Sequence, residues 1–196
     1  DLDGDGDDEL IVAAPGNDEN GNGSGCIYLL QGGDEILTDP DFVWDDQELD
    51  FYLEYGNGSL CSETEDARLG WNSGAHLADF NGDGVTDLVV AGPNASVVYI
   101  FFNAEGLLSS STEADTDADV IITSSYGGSF GYALAVGDMN GDGVDDLAIG
   151  APDINDPINS AFEYTSLLAN DTPTYNGMVY LYDGTSLSGN MTETDA

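Results

Sequence analysis

One segment occurs three times in this chain and limits what it can fold into. It reads DLDGDGDDELIVAAP from Asp1 to Pro15, DFNGDGVTDLVVAGP from Asp79 to Pro93, and DMNGDGVDDLAIGAP from Asp138 to Pro152. In every copy the first, third, fifth and ninth residues carry a side-chain oxygen. They are Asp1, Asp3, Asp5 and Glu9; then Asp79, Asn81, Asp83 and Asp87; then Asp138, Asn140, Asp142 and Asp146. The fourth and sixth residues are always glycine, which lets the backbone turn tightly and wrap its own oxygens inward. The apolar run that follows is short, rich in aliphatic residues and closed by proline, so it predicts a strand and not a helix.

Oxygens gathered in this way suit a hard cation. Calcium takes about six to eight oxygens in a flexible shell at roughly 2.3–2.6 Å. Four side chains, water and the backbone carbonyl of the seventh residue would supply them. The seventh residues are Asp7, Val85 and Val144, and a valine fits there only as a backbone ligand. Magnesium usually keeps more of its own waters, and transition metals recruit His or Cys. The sole histidine, His76, reads as a strand residue near a turn. An EF-hand would need a bidentate Glu at the twelfth residue, where this chain has Val12, Val90 and Ile149. Plain Asp-Gly turns need no metal, but four matching oxygen positions in three copies argue against that. About three calcium ions are therefore expected. The bare carboxylates would repel one another, so binding should couple to folding.

The copies divide the chain into similar units, a pattern of propellers and solenoids. Each unit runs from acidic loop to apolar strand, then through a variable polar segment to a second run: CIYLLQGG from Cys26, VVYIFFNAEG from Val97, MVYLYDG from Met178. Residues 1–38 are read as a partial first unit, 39–68 as an insertion, 69–129 as the second repeat, and 130–196 as the third with an inserted loop at 153–176. The FVWDDQELDFYLEYG portion of the insertion suits either a hairpin or a short helix.

The third unit holds FGYA from Phe130 and GAP at Gly150 to Pro152, with GDMNGDGVDDLAIG between them. In this it resembles the FG-GAP repeats of the integrin alpha-chain β-propeller. The second unit has AGP, and its Leu69-Gly70 lies two residues further from its acidic loop than Phe130-Gly131 does. The first has AAP and begins at the loop. The resemblance implies an all-β fold of four-stranded antiparallel blades from a seven-bladed ring. Calcium loops would join the first two strands of a blade and brace the face away from partners. Two and a half to three units cannot close such a ring, and lone blades expose strand edges and apolar faces. The chain is thus expected to be part of a longer protein or to associate with copies of itself.

Composition narrows the partners. There are 39 Asp and Glu against one basic residue, Arg68, for a net charge of −38. That excludes nucleic-acid binding, which needs Lys and Arg, and no run is long enough to insert in a membrane. Cys26 and Cys61 either pair or remain two buried thiols. Asn22, Asn57, Asn94, Asn170 and Asn190 head Asn-x-Ser/Thr sequons, candidate glycosylation sites that suit an extracellular or cell-surface location. A Ser-His-Asp triad would need His76, and the best-placed acids are explained by calcium, so no catalytic residues are assigned. The leading expectation is an adhesion or structural module that binds a surface protein, a glycan or copies of itself, as in a filament or surface layer. Trp44, Phe51, Tyr52, Tyr55, Phe162 and Tyr164 in the two excursions are candidate contacts, or else a satellite core beneath long loops. The competing expectation is an accessory propeller of a secreted hydrolase or carbohydrate-binding protein.

Overall fold

The computed structural model describes residues 2–33, 58–72, 75–127, 129–152 and 177–196. Asp1, Asn57, Asn170 and the six aromatic candidates of the excursions lie outside the described residues.

Three sheets follow one another along the chain. The first contains β1 (Leu10–Ala14), β2 (Cys26–Leu30) and β3 (Gly58–Cys61). The second contains β4 (Ala75–Ala78), β5 (Asp87–Gly92), β6 (Val97–Phe101) and β8 (Val120–Thr123). The third contains β9 (Ala133–Gly137), β10 (Asp146–Ala151) and β11 (Met178–Tyr182). Neighbours within each of these sets pair antiparallel. Two further strands depart from the all-antiparallel expectation. β7 (Ser111–Glu113) comes from the second unit yet pairs parallel with β3, on the outer edge of the first sheet. β12 (Gly189–Thr192) comes from the third unit and pairs parallel with β8, on the outer edge of the second. Each unit thus lends a strap to the one before it. The strap satisfies a row of backbone groups that an edge strand would leave open.

The segment 39–68, read as an insertion, ends in an element of the first sheet: β3 pairs with β2 from Leu29 opposite Gly58 to Cys26 opposite Cys61. The sulfurs of that last pair are bonded, so the two cysteines close the first sheet.

The register of the hairpins β1–β2, β5–β6 and β10–β11 is the same, with Leu10, Leu88 and Leu147 opposite Leu30, Phe101 and Tyr182. Alternate residues therefore face alternate neighbours. From the second sheet, Leu88, Val90, Tyr99 and Phe101 pack with Ile27, Leu29 and Leu60 of the first. Val89, Ala91, Val98 and Ile100 pack with Phe130, Leu147, Ile149 and Tyr180 of the third. β5 and β6 are buried at every residue, and apart from Asp87 at the start of β5 they read as apolar runs.

The Leu69-Gly70 and Phe130-Gly131 pairs act at these seams. Leu69 and Phe130 are fully buried. Gly70 and Gly131 have φ of +79° and +88°, and their N–H groups donate to the carbonyls of Ala91 and Gly150. A Cβ on Gly70 would stand 2.5 Å from Ile27 Cδ1, and one on Gly131 would stand 2.9 Å from Ala91 Cβ. Glycine is required here by both backbone conformation and close approach.

Candidate cation sites and the seams between sheets

The second acidic loop joins β4 to β5, the third joins β9 to β10, and the first leads into β1. The glycines of all three have positive φ, from 71° at Gly82 to 103° at Gly6. The loops close on their own side chains. Asp79 accepts from Gly82 N–H (2.8 Å) and Gly84 N–H (2.9 Å), and Asp138 from Gly141 (2.6 Å) and Gly143 (3.0 Å). Asn81 and Asn140 accept from the amides of Asp83 and Asp142, both at 2.9 Å. Asp83, Asp142 and Asp5 each accept from the amide of the seventh residue, at 2.8 to 2.9 Å. These bonds hold Asp138 below the usual carboxylate range, the Gly143 amide contributing most.

The ninth residue is set differently. Asp87 and Asp146 are buried, and both oxygens of each accept backbone N–H groups. Asp87 takes Phe80 and Asn103 at 2.9 Å. Asp146 takes Met139 at 2.9 Å and Gly184 at 3.0 Å. Burial raises the pKa of Asp87 against the pull of those two amides, and Asp83 and Asp79 raise it further. In the first loop Glu9 accepts from the Leu2 amide, the counterpart of Phe80 and Met139. Here Asp3, Asp5 and Glu9 bring carboxylate oxygens within 4.8 Å of one another. Ligands of one calcium lie at most about 5 Å apart, so this trio has the spacing and chemistry of a calcium donor set. Among the described residues the second and third loops form no such trio. Val85 of the second loop is exposed, as a backbone-only contributor would be.

A residue outside the oxygen pattern ties two loops together. Asp145 donates its N–H to the Asp79 carbonyl at 3.0 Å and accepts from the Asp79 N–H at the same distance. Val144 fits beside it, its Cγ2 only 2.9 Å from where a Cβ on Gly82 would stand.

Acids also fasten the straps. β7 leads into the short helix α1 (Ala114–Asp117), where Asp115 accepts from Ser62 Oγ (2.9 Å), Thr64 Oγ1 (3.0 Å), the Glu63 amide and Tyr99 OH. Burial would raise the pKa of Asp115, but these four donors outweigh it and leave it lowered. The Tyr99 hydroxyl is driven up by burial and by Asp115. After β12, Glu193 repeats the arrangement, accepting from Ser125 Oγ at 2.6 Å and the Ser125 amide at 3.3 Å. Ser62–Thr64 follows β3 and Ser125 follows β8, so each strap carries an acid that grips the preceding unit. No motif in the sequence singles out Asp115, Glu193 or Asp145. Their roles follow only from where the straps lie.

Glu19 lies near Cys26 and Cys61, but a disulfide offers no thiolate. Asn22, Asn94 and Asn190 are exposed. The run Gly127-Gly128-Ser129-Phe130-Gly131 has G-x-S-x-G spacing. A nucleophile elbow joins a strand to a helix, whereas Ser129 stands in the turn before β9, so the spacing has no catalytic context. His76 lies in β4 opposite Val89. No helix among the described residues is long and apolar enough to cross a membrane.

Sheets of one register, stacked face to face and each with an acidic loop running into β1, β5 or β10, define the protein as a run of β-propeller blades. Family comparison agrees. An FG-GAP repeat model matches residues 1–30 and 130–182, and an FG-GAP-like repeat model matches 79–149. The chain belongs to the FG-GAP repeat family and is an integrin-alpha-like module. It is 30% identical over 165 residues to phosphatidylinositol-glycan-specific phospholipase D of Dictyostelium discoideum, covering 78% of this chain and 17% of that protein. The human phospholipase D of that name is 33% identical over 162 residues, 78% of this chain and 18% of that one. Integrin alpha-PS3 of Drosophila melanogaster is 31% identical over 160 residues, 78% and 13% respectively. The chain thus spans less than a fifth of the length of these relatives.

Proposed function

We propose that this chain is a calcium-braced propeller segment of an extracellular or cell-surface protein, and that it serves recognition or assembly and not catalysis. The observation that carries this reading is the carboxylate trio of Asp3, Asp5 and Glu9 within 4.8 Å, in a loop whose pattern recurs twice. In the first loop Asp1 and the Asp7 carbonyl would complete the set. Asp79, Asn81, Asp83, the Val85 carbonyl and Asp87 would serve the second ion. Asp138, Asn140, Asp142, the Val144 carbonyl and Asp146 would serve the third. Bound calcium supplies positive charge where carboxylates crowd, and so rigidifies the loops between inner strands.

The location is supported by the Cys26–Cys61 disulfide, a bond that persists in oxidising compartments, and by the exposed sequons. Similarity to an integrin alpha chain supports a partner at the cell surface, protein or glycan. Similarity to the phospholipases supports a second reading, in which the segment is the accessory propeller of a secreted hydrolase.

Calcium titration by calorimetry after exhaustive chelation tests the first reading. About three ions per chain are expected, falling by one in Asp142→Ala. An absence of uptake, or unchanged stoichiometry in the variant, would overturn the assignment. Incubation of the chain with a phosphatidylinositol-glycan should give no cleavage, and turnover by the chain itself would sink the non-catalytic reading.

A further inference from the structure

We infer that Asp145 of the third loop is a positioning residue for the second cation site, and that the two sites therefore take up calcium cooperatively; this rests on the calcium reading proposed above. The three loops share one hydrogen-bonded form. In each, the third residue accepts from the amide of the fifth, the fifth from the amide of the seventh, and the ninth from the amide of the second. The second and third loops thus repeat the form of the loop in which Asp3, Asp5 and Glu9 gather, with side-chain oxygens at the same positions.

Asp145 stands in the third loop between Val144, whose carbonyl is a proposed ligand, and Asp146, whose carboxylate is another. It holds Asp79, the first residue of the second loop, by both backbone groups. The Asp145 carboxylate accepts from the Asp79 N–H, and the Asp145 N–H donates to the Asp79 carbonyl, each at 3.0 Å. The Asp79 side chain in turn accepts from Gly82 and Gly84, so the set of the second loop follows from where Asp145 sits. Close packing reinforces the link. A Cβ on Gly184 would stand 2.1 Å from the Asp145 carbonyl oxygen and 3.0 Å from that of Phe80, while the Gly184 N–H donates to Asp146. Repulsion among bare carboxylates loosens both loops. Once one loop is ordered, Asp145 is fixed, and its neighbour loses less conformational entropy on binding. The coupling is reciprocal. The eighth residue of the second loop is Thr86, which has no carboxylate, and its carbonyl accepts from Ala104 of its own unit at 2.8 Å. The first site therefore serves as an internal control.

The test is a calcium titration of the whole chain after exhaustive chelation, read from the amide resonances of Gly6, Gly84 and Gly143, one in each loop. Asp142→Ala should abolish the response at Gly143 and raise the calcium midpoint at Gly84 about 5-fold or more, leaving Gly6 where it was. In an Asp145→Ala background, Asp142→Ala should no longer move Gly84, because the link is already cut. In Asp145→Asn, which keeps an acceptor oxygen, it should still do so. A merely structural role for Asp145 would leave the two substitutions additive. Failure of all three glycines to respond to calcium would overturn the calcium reading and the coupling with it. Response at all three, with a Gly84 midpoint indifferent to Asp142→Ala or a shift as large at Gly6, would overturn the coupling alone. So would an equal shift at Gly84 with and without the Asp145 carboxylate.

Discussion

The second and third sheets share a register and nearly a sequence, yet only one is packed on both faces. VVYIF in β6 is buried throughout, whereas in MVYLY of β11 the tyrosines are buried and Val179 and Leu181 are not. A strand's apolar residues thus report what the strand is able to pack against, and the neighbouring unit decides what it does pack against.

The sharpest way to break this comparison is paired truncation. Ile100→Ala should cost about 2–5 kcal/mol in denaturant titration, as for other buried aliphatic truncations. Leu181→Ala, at the same register, should stay within about 0.5 kcal/mol as a surface change. Equal losses would mean that the third sheet is covered in solution.

Reducing the Cys26–Cys61 bond should lower stability by about 2–4 kcal/mol. The bond joins β2 to β3 within the first sheet alone. Hydrogen exchange should therefore quicken in β2 and β3 before it changes in β10. Uniform quickening would show the sheets to be one cooperative unit.

The seams offer a smaller contrast. Asp115→Ala removes one acceptor from four donors and should cost about 1–3 kcal/mol. Glu193→Ala frees two donors on one exposed serine and should cost less. A larger loss at Glu193 would reverse the ranking of the two seams.

Acid should expose the same staple. The folded-state pKa of Asp115 is lowered, so its contribution is full above the unfolded value of about 3.9 and is lost as pH falls through the folded one. The stability gap between the native chain and Asp115→Asn should be constant near neutrality and shrink below about pH 4. Asp87, whose pKa is raised, works in the opposite sense, so the native chain's own pH profile is the weaker readout. A gap independent of acid would remove the ionised staple from the account.

Much of this architecture was legible in particular residues. The runs after each acidic loop became β1, β5 and β10, and the aromatic runs became β2, β6 and β11. Loop, strand and turn chemistry all point the same way there, and such agreement makes a local reading dependable. Three elements were not legible. Gly58–Cys61 falls in the segment that reads as an insertion, because a four-residue strand opened by glycine has little local signal. Ser111–Glu113 and Gly189–Thr192 are polar strands that exist because an open edge lies beside them. The oxygen pattern showed which side chains belong to each loop, but not that Asp87 and Asp146 spend both oxygens on amides while Glu9 gathers with Asp3 and Asp5.

The sequence by itself determined the repeats, the all-β character, the acidic loops and the glycines at the seams, because each depends on a few adjacent residues and on backbone conformations that only certain side chains tolerate. Tertiary structure alone decided which sheet is packed on both faces, which unit straps which, and which carboxylates meet amides from another unit. Those outcomes depend on partners tens of residues away, and contacts at that distance leave no fixed spacing for a sequence to display.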